Sequence, residues 1–186
     1  HGQIVKGEMP EPDYIYIASG SMGTAAGLIL GIRALSMKTK VVAVRVNSER
    51  FVNVKGLIKL IYQTNSLLSS MDPSFPHFDF RESDVEIRQG FFGTQYALST
   101  EQGLEAISLM NRYANIKLEG TYTGKTFAAL IDDAKKSNLT DKIVLFWNTY
   151  NSRDFSESTA AIDYHQLPRR FHRYFEESVQ PLEREQ

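Results

Sequence analysis

An α/β domain built on a parallel sheet is predicted from three observations. Tyr14–Ala18 is a short apolar, β-rich run, and it feeds the small-residue turn Ser19-Gly20-Ser21-Met22-Gly23. The turn opens into an apolar-periodic helix over Thr24–Leu35. That helix crosses to a second apolar strand, Val41–Val46. Strand, crossing helix and strand form one βαβ unit, whose strands run parallel.

The remaining elements continue the alternation. Phe51–Ser70 reads as a helix because Val54, Leu57, Ile58 and Ile61 fall on one face. Met71–Phe80 is a proline-containing aromatic loop, and Val85–Ile87 a brief strand. Ser99 followed three positions later by Gln102 reads as a capping box that starts a helix running to about Ala114. Gly124–Lys136 is a second helix, Ile143–Trp147 the final strand, and Asn148–Asn151 its exit loop. Gln166–Glu177 is expected to close the chain as an amphipathic helix with Leu167, Phe171, Tyr174 and Phe175 turned inward. Its Arg169-Arg170-Phe171-His172-Arg173 run also admits an RNA-binding reading, but the amphipathic helix accounts for the pattern better.

Composition narrows the function classes. The chain has 186 residues, enough for one domain with a core of its own. A net charge of −1 gives no electrostatic reason to expect nucleic acid. No apolar run approaches the roughly eighteen residues of a membrane span, and no signal peptide is read before the first strand. Zero cysteines exclude disulfides, thiolate catalysis and cysteine-ligated metals. His1, His77, His165 and His172 show no ligand spacing, so no metal is expected. A cytoplasmic location is compatible with this composition.

The turn at Ser19–Thr24 carries the chemistry. Gly20 and Gly23 permit a tight turn and close approach of a ligand. The first N–H groups of the following helix lack intrahelical partners, and the helix dipole adds partial positive charge, so the turn is suited to a phosphate. Ser19, Ser21 and Thr24 add hydroxyl donors. The alternative is a small-residue strand-to-helix turn with no ligand. The glycine spacing Gly20, Gly23, Gly27, Gly31 fits a dinucleotide fingerprint poorly, because no acid stands at the tip of the next strand. Gly120-Thr121-Tyr122-Thr123-Gly124-Lys125-Thr126 is one residue short of a P-loop, which argues against ATP.

Four stretches in order resemble the aminocyclopropane-carboxylate deaminase and D-cysteine desulfhydrase family. Ser19-Gly20-Ser21-Met22-Gly23-Thr24-Ala25-Ala26-Gly27-Leu28 is similar to the family's phosphate loop, with Met22 in place of a glycine. Gly93-Thr94-Gln95-Tyr96, with Ser99-Thr100-Glu101 and Glu105-Ala106, resembles its G-Y-G-x-P-T-x-E segment. Glu119-Gly120-Thr121-Tyr122-Thr123-Gly124-Lys125 resembles D-P-x-Y-x-G-K, and Val144–Thr149 resembles the strand ending in H-T-G-G.

The resemblance implies a three-layer αβα parallel sheet of the tryptophan synthase β-like fold, residues 1–186 being the C-terminal portion of its large domain. It implies pyridoxal 5'-phosphate as cofactor, gripped by Ser19, Gly20, Ser21, Met22, Gly23 and Thr24, with Thr149 facing the pyridine nitrogen. Tyr122 and Tyr96 become candidate catalytic residues facing a small amino-acid substrate. Thr123 and Thr149 lean toward desulfhydrase-like β-elimination rather than deamination, while Asn148 and Tyr150-Asn151 depart from the family loop. The full-length protein is expected to be a homodimeric deaminase, hydrolase or lyase. Nothing in the chain matches the family's cofactor-bonding lysine segment, so the chain alone is expected to be inactive, and Lys125 is not that lysine. The reading outside the enzyme class is a non-catalytic phosphate- or nucleotide-binding domain.

Overall fold

The computed structural model describes residues 1–136, 139–151, 153–178, 180 and 182. A short helix α1 (Gly2–Val5) precedes β1 (Tyr14–Ser19), α2 (Gly23–Ala34) and β2 (Lys40–Arg45). Then come α3 (Val54–Met71), β3 (Glu86–Arg88), α4 (Glu101–Ala114), α5 (Thr123–Lys136) and β4 (Val144–Trp147). The strands form one sheet in the order β3-β2-β1-β4, and every pairing is parallel.

Alternation along the strands splits the core into two layers. Ile17, Val41 and Ala43 pack toward α2 and α3, with Ala26, Leu30, Leu57 and Ile61. Tyr16, Val42, Val44 and Val46 pack toward α4 and α5, with Ala106, Ala128 and Ala129. Both faces of the sheet are therefore covered, as parallel strands require, and the architecture is the expected αβα sandwich. Ile17, Leu57 and Ile61 are fully buried, each contributing about 1.5–3 kcal/mol of transfer free energy.

Helix α3 is amphipathic as its spacing predicts, but it starts after Phe51, which is exposed. Asn53 caps it by accepting from the Gly56 N–H at 2.8 Å. Two predicted features are corrected. Thr100, not Ser99, caps α4: its Oγ1 accepts from the Gly103 N–H at 3.2 Å. The Ser99 N–H instead donates to Gln180 Oε1 at 3.0 Å, so no Ser99–Gln102 capping box forms.

The closing helix over Gln166–Glu177 is also absent. Residues Tyr164–Gln166 and Arg169–Phe171 form single 3₁₀ turns, followed by the short α7 (Arg173–Glu176), with α6 (Ser156–Thr159) upstream. Pro168 lies between the two turns; it lacks an N–H and pushes Leu167 into an extended conformation. Leu167, Phe171, Tyr174 and Phe175 are 39–60% exposed rather than turned inward. The aromatic residues stack locally instead, Tyr164 on Phe175 with ring centroids 4.6 Å apart.

Candidate active site

Strand β1 delivers Ser19 to the carboxyl edge of the sheet, where ligands of open α/β sheets collect. The turn Gly20–Met22 follows, and α2 begins at Gly23 without any side-chain cap. The first helical bond runs from Ala26 N–H to Met22 O at 2.9 Å, so the amides of Gly23, Thr24 and Ala25 have no intrahelical acceptor. Ser21, Gly23 and Thr24 are exposed, which leaves this end of the helix open. Ser19 is 1% exposed, and its Oγ has no hydrogen-bond partner. A buried hydroxyl left unpaired costs about 1–3 kcal/mol. Beside an uncapped helix N-terminus, that orphan hydroxyl is a donor awaiting an acceptor.

Met22 explains how a bulky residue stands where the resembling family has glycine. Its backbone is left-handed at φ 66°, which costs about 1–2 kcal/mol for a residue with a Cβ. Its side chain joins the α2–α3 core, and burial of a methionine contributes about 1.5–3 kcal/mol. Burial offsets the strain. The contact is close: a Cβ at Gly56 would lie 3.1 Å from Met22 Cε, so the methionine tip packs directly against the start of α3.

Tyr122 meets the turn from the other layer. A Cβ on Gly20 would lie 3.1 Å from Tyr122 Cε1, tighter than ordinary contact, so the glycine serves the close approach of that ring rather than a left-handed φ. The Tyr122 hydroxyl is hydrogen-bonded to the Tyr96 hydroxyl, with ring centroids 6.1 Å apart at 67°. The Tyr96 bond, then burial, push the Tyr122 phenol up to about 12. At neutral pH it is therefore a protonated donor rather than a base. The structure thus unites Ser19–Thr24, Tyr122 and Tyr96. Thr149 lies at the same edge, two residues beyond Trp147, as Ser19 lies two beyond its pairing partner Ile17. It is exposed and makes no hydrogen bond to the turn or to either tyrosine among the described residues.

Glu119 is a residue whose part sequence reasoning missed. Its carboxylate accepts from the N–H groups of Thr121 at 2.7 Å, Tyr122 at 2.9 Å and Thr123 at 2.7 Å. The start of α5 is therefore already capped by a protein carboxylate, which takes the amides of Thr121, Tyr122 and Thr123 that a nucleotide phosphate would need. The signal was present, since an acidic residue just before a helix is a capping pattern. Thr123 is 1% exposed, and its hydroxyl is engaged with Glu119 at 3.1 Å. It does not face the cleft, so the lean toward desulfhydrase chemistry rests on Thr149 alone.

Fold and site together give a parallel α/β domain in which an uncapped helix start follows β1 and a tyrosine pair stands over the turn. Residues 3–149 match the pyridoxal-phosphate dependent enzyme family, and the chain belongs to that family. It is 32% identical over 128 residues to a D-cysteine desulfhydrase of Yersinia enterocolitica, covering 68% of this chain and 36% of the relative. A D-cysteine desulfhydrase of Yersinia pestis is 29% identical over 136 residues, covering 73% of this chain and 39% of the relative. Among solved structures, an ACC deaminase homologue superimposes with a TM-score of 0.65 at 26% identity. That superposition covers 86% of this chain and 47% of the homologue. The chain spans between 36% and 39% of the length of these curated relatives.

Proposed function

We propose that this chain is the phosphate- and substrate-facing portion of a pyridoxal-phosphate-dependent deaminase or carbon–sulfur lyase acting on a small amino acid. The observation that carries the reading is the buried, unpartnered Ser19 Oγ beside the uncapped start of α2. These groups fit a phosphate: Ser19, Gly20, Ser21, Met22, Gly23 and Thr24 would hold it through hydroxyls and amides. Thr149 would face the pyridine nitrogen. When bound, the cofactor supplies an electron sink for a carbanion next to the substrate amine.

The chain's own residues do the rest. The α2 amides bind and orient the phosphate, and Tyr122 holds a proton at its hydroxyl, kept there by Tyr96. A desulfhydrase-like β-elimination of D-cysteine, releasing sulfide and followed by hydrolysis with water to pyruvate and ammonia, is favoured over deamination of aminocyclopropane carboxylate by the hydroxyl at Thr149. Residues 1–186 act here as the C-terminal part of a large domain, with the cofactor-bonding lysine contributed by the rest of a longer, cytoplasmic, homodimeric protein. Supporting this division, β4 is a sheet edge, and its Trp147 and the preceding Ile143 remain 41% and 44% exposed.

The test is addition of pyridoxal phosphate to the chain itself. The midpoint of thermal unfolding should rise with cofactor concentration, because a ligand that binds only the folded state stabilises it. Borohydride reduction and peptide mapping should leave Lys125 unmodified, since it is fully buried and its Nζ donates to Phe92 O at 2.7 Å. An unchanged midpoint would remove the cofactor reading, and stoichiometric labelling of Lys125 would reassign the lysine.

A further inference from the structure

Lys125 is the largest fully buried side chain in the domain, at 0% exposure, and nothing in the proposed chemistry uses it. Burying a lysine is costly unless its head is satisfied. Among the described residues it forms no salt bridge, and the nearby Glu119 carboxylate is already occupied by the α5 amides. Its stem passes α4 beside Gly103, where an added Cβ would make ordinary contact with Lys125 Cγ at 3.6 Å. Its Nζ then reaches the β3–α4 loop, donating to Phe92 O at 2.7 Å and lying 5.6 Å from the Phe92 ring centroid.

The loop it grips carries Tyr96. From Phe92 the chain turns at Gly93, whose φ is +81° and whose Cβ would lie 2.7 Å from Thr100 Cγ2, and continues to Tyr96. The Tyr96 hydroxyl then bonds that of Tyr122, which immediately precedes α5 and lies three residues before Lys125. One helix start therefore bears both Tyr122 and the arm that holds Tyr122's partner loop. On the far side of Tyr96, Gln180 Nε2 donates to Ala97 O at 2.5 Å, so the loop is anchored at both ends.

We infer that Lys125 is a positioning residue, its buried arm fixing the Phe92–Tyr96 loop so that Tyr96 meets Tyr122. The inference rests on the reading that this tyrosine pair is part of the site.

The experiment follows the Tyr122 phenol in the whole chain labelled with [¹³Cζ]tyrosine. In the parent its titration is pushed up to about 12, first by the Tyr96 hydrogen bond. Tyr96→Phe should lower it, because the largest cause of the rise is removed while burial and Glu119 remain. Lys125→Met, which keeps the apolar stem and removes the donor, should produce the same fall with both tyrosines still present. A lysine that only supports folding would lower the unfolding temperature and leave the Tyr122 titration high. If Lys125→Met does not fold, Lys125→Gln is read in the same way, since its amide nitrogen ends one bond short of the Nζ position that reaches Phe92 O at 2.7 Å. A high Tyr122 titration in the folded lysine variant, alongside a fall in Tyr96→Phe, overturns the positioning role and leaves the pair intact. No fall in Tyr96→Phe overturns the pair itself, and the inference with it.

Discussion

Tyr122→Phe in the full-length protein should keep the cofactor and lose turnover by about a hundred- to ten-thousand-fold, the usual worth of a positioned proton donor. The substitution removes one oxygen and leaves the ring that packs against Gly20, so the turn keeps its shape. What disappears is the hydroxyl that Tyr96 holds protonated. Thr149→Val makes the complementary change. It should weaken the cofactor and shift its absorption, because a buried ring nitrogen that loses its hydrogen-bond partner costs about 1–3 kcal/mol. Both variants belong in one assay with D-cysteine and with aminocyclopropane carboxylate. Cofactor loss in Tyr122→Phe together with retention in Thr149→Val would reverse the two roles. Normal turnover in Tyr122→Phe would make that tyrosine a packing residue.

Gly23→Asp should separate stability from binding. Among the described residues a Cβ at Gly23 would meet only Ser21 Oγ, at 3.8 Å, so a side chain can leave the backbone there without a clash. An acidic residue at the start of α2 is favourable by about 0.3–1 kcal/mol, because it complements the helix dipole. The same carboxylate stands where the phosphate should sit. Two like charges about 4 Å apart near a protein surface repel by about 4 kcal/mol before salt screening. Pyridoxal phosphate affinity in the full-length protein should therefore fall by about a hundredfold or more, while the unfolding midpoint without ligand stays level or rises. Unchanged affinity in this folded variant would show that the phosphate lies elsewhere.

The parts legible in the sequence are those set by local pattern. Apolar runs bounded by Gly20 and by Asn47 fixed the strands, and the parallel sheet followed from the length of the crossing helix between them. Long-range pairings were hidden. Nothing local marks Lys125 as a buried arm, because its acceptor is a backbone carbonyl 33 positions away. The resemblance marked Tyr96 and Tyr122 singly as candidate site residues, but the bond between them spans 26 positions and had no local signal. At α4 two adjacent hydroxyl residues competed for the cap, and a contact from Gln180, 81 positions away, holds the Ser99 amide. The closing helix failed for a reason visible in the chain. Apolar residues at 167, 171, 174 and 175 satisfy the helical period, but Pro168 lies inside it.

The central claim is that the Ser19–Thr24 turn is a phosphate site, and the ¹⁵N-labelled chain titrated with pyridoxal phosphate tests it most directly. Binding through backbone donors should move the amide resonances of Gly20, Ser21, Met22, Gly23 and Thr24 first and furthest, with Tyr122 following because its ring abuts Gly20. Inorganic phosphate should move the same turn amides at higher concentration and leave Thr149 still. Shifts centred on the start of α5, or scattered over surface lysines with the turn unmoved, would contradict the account.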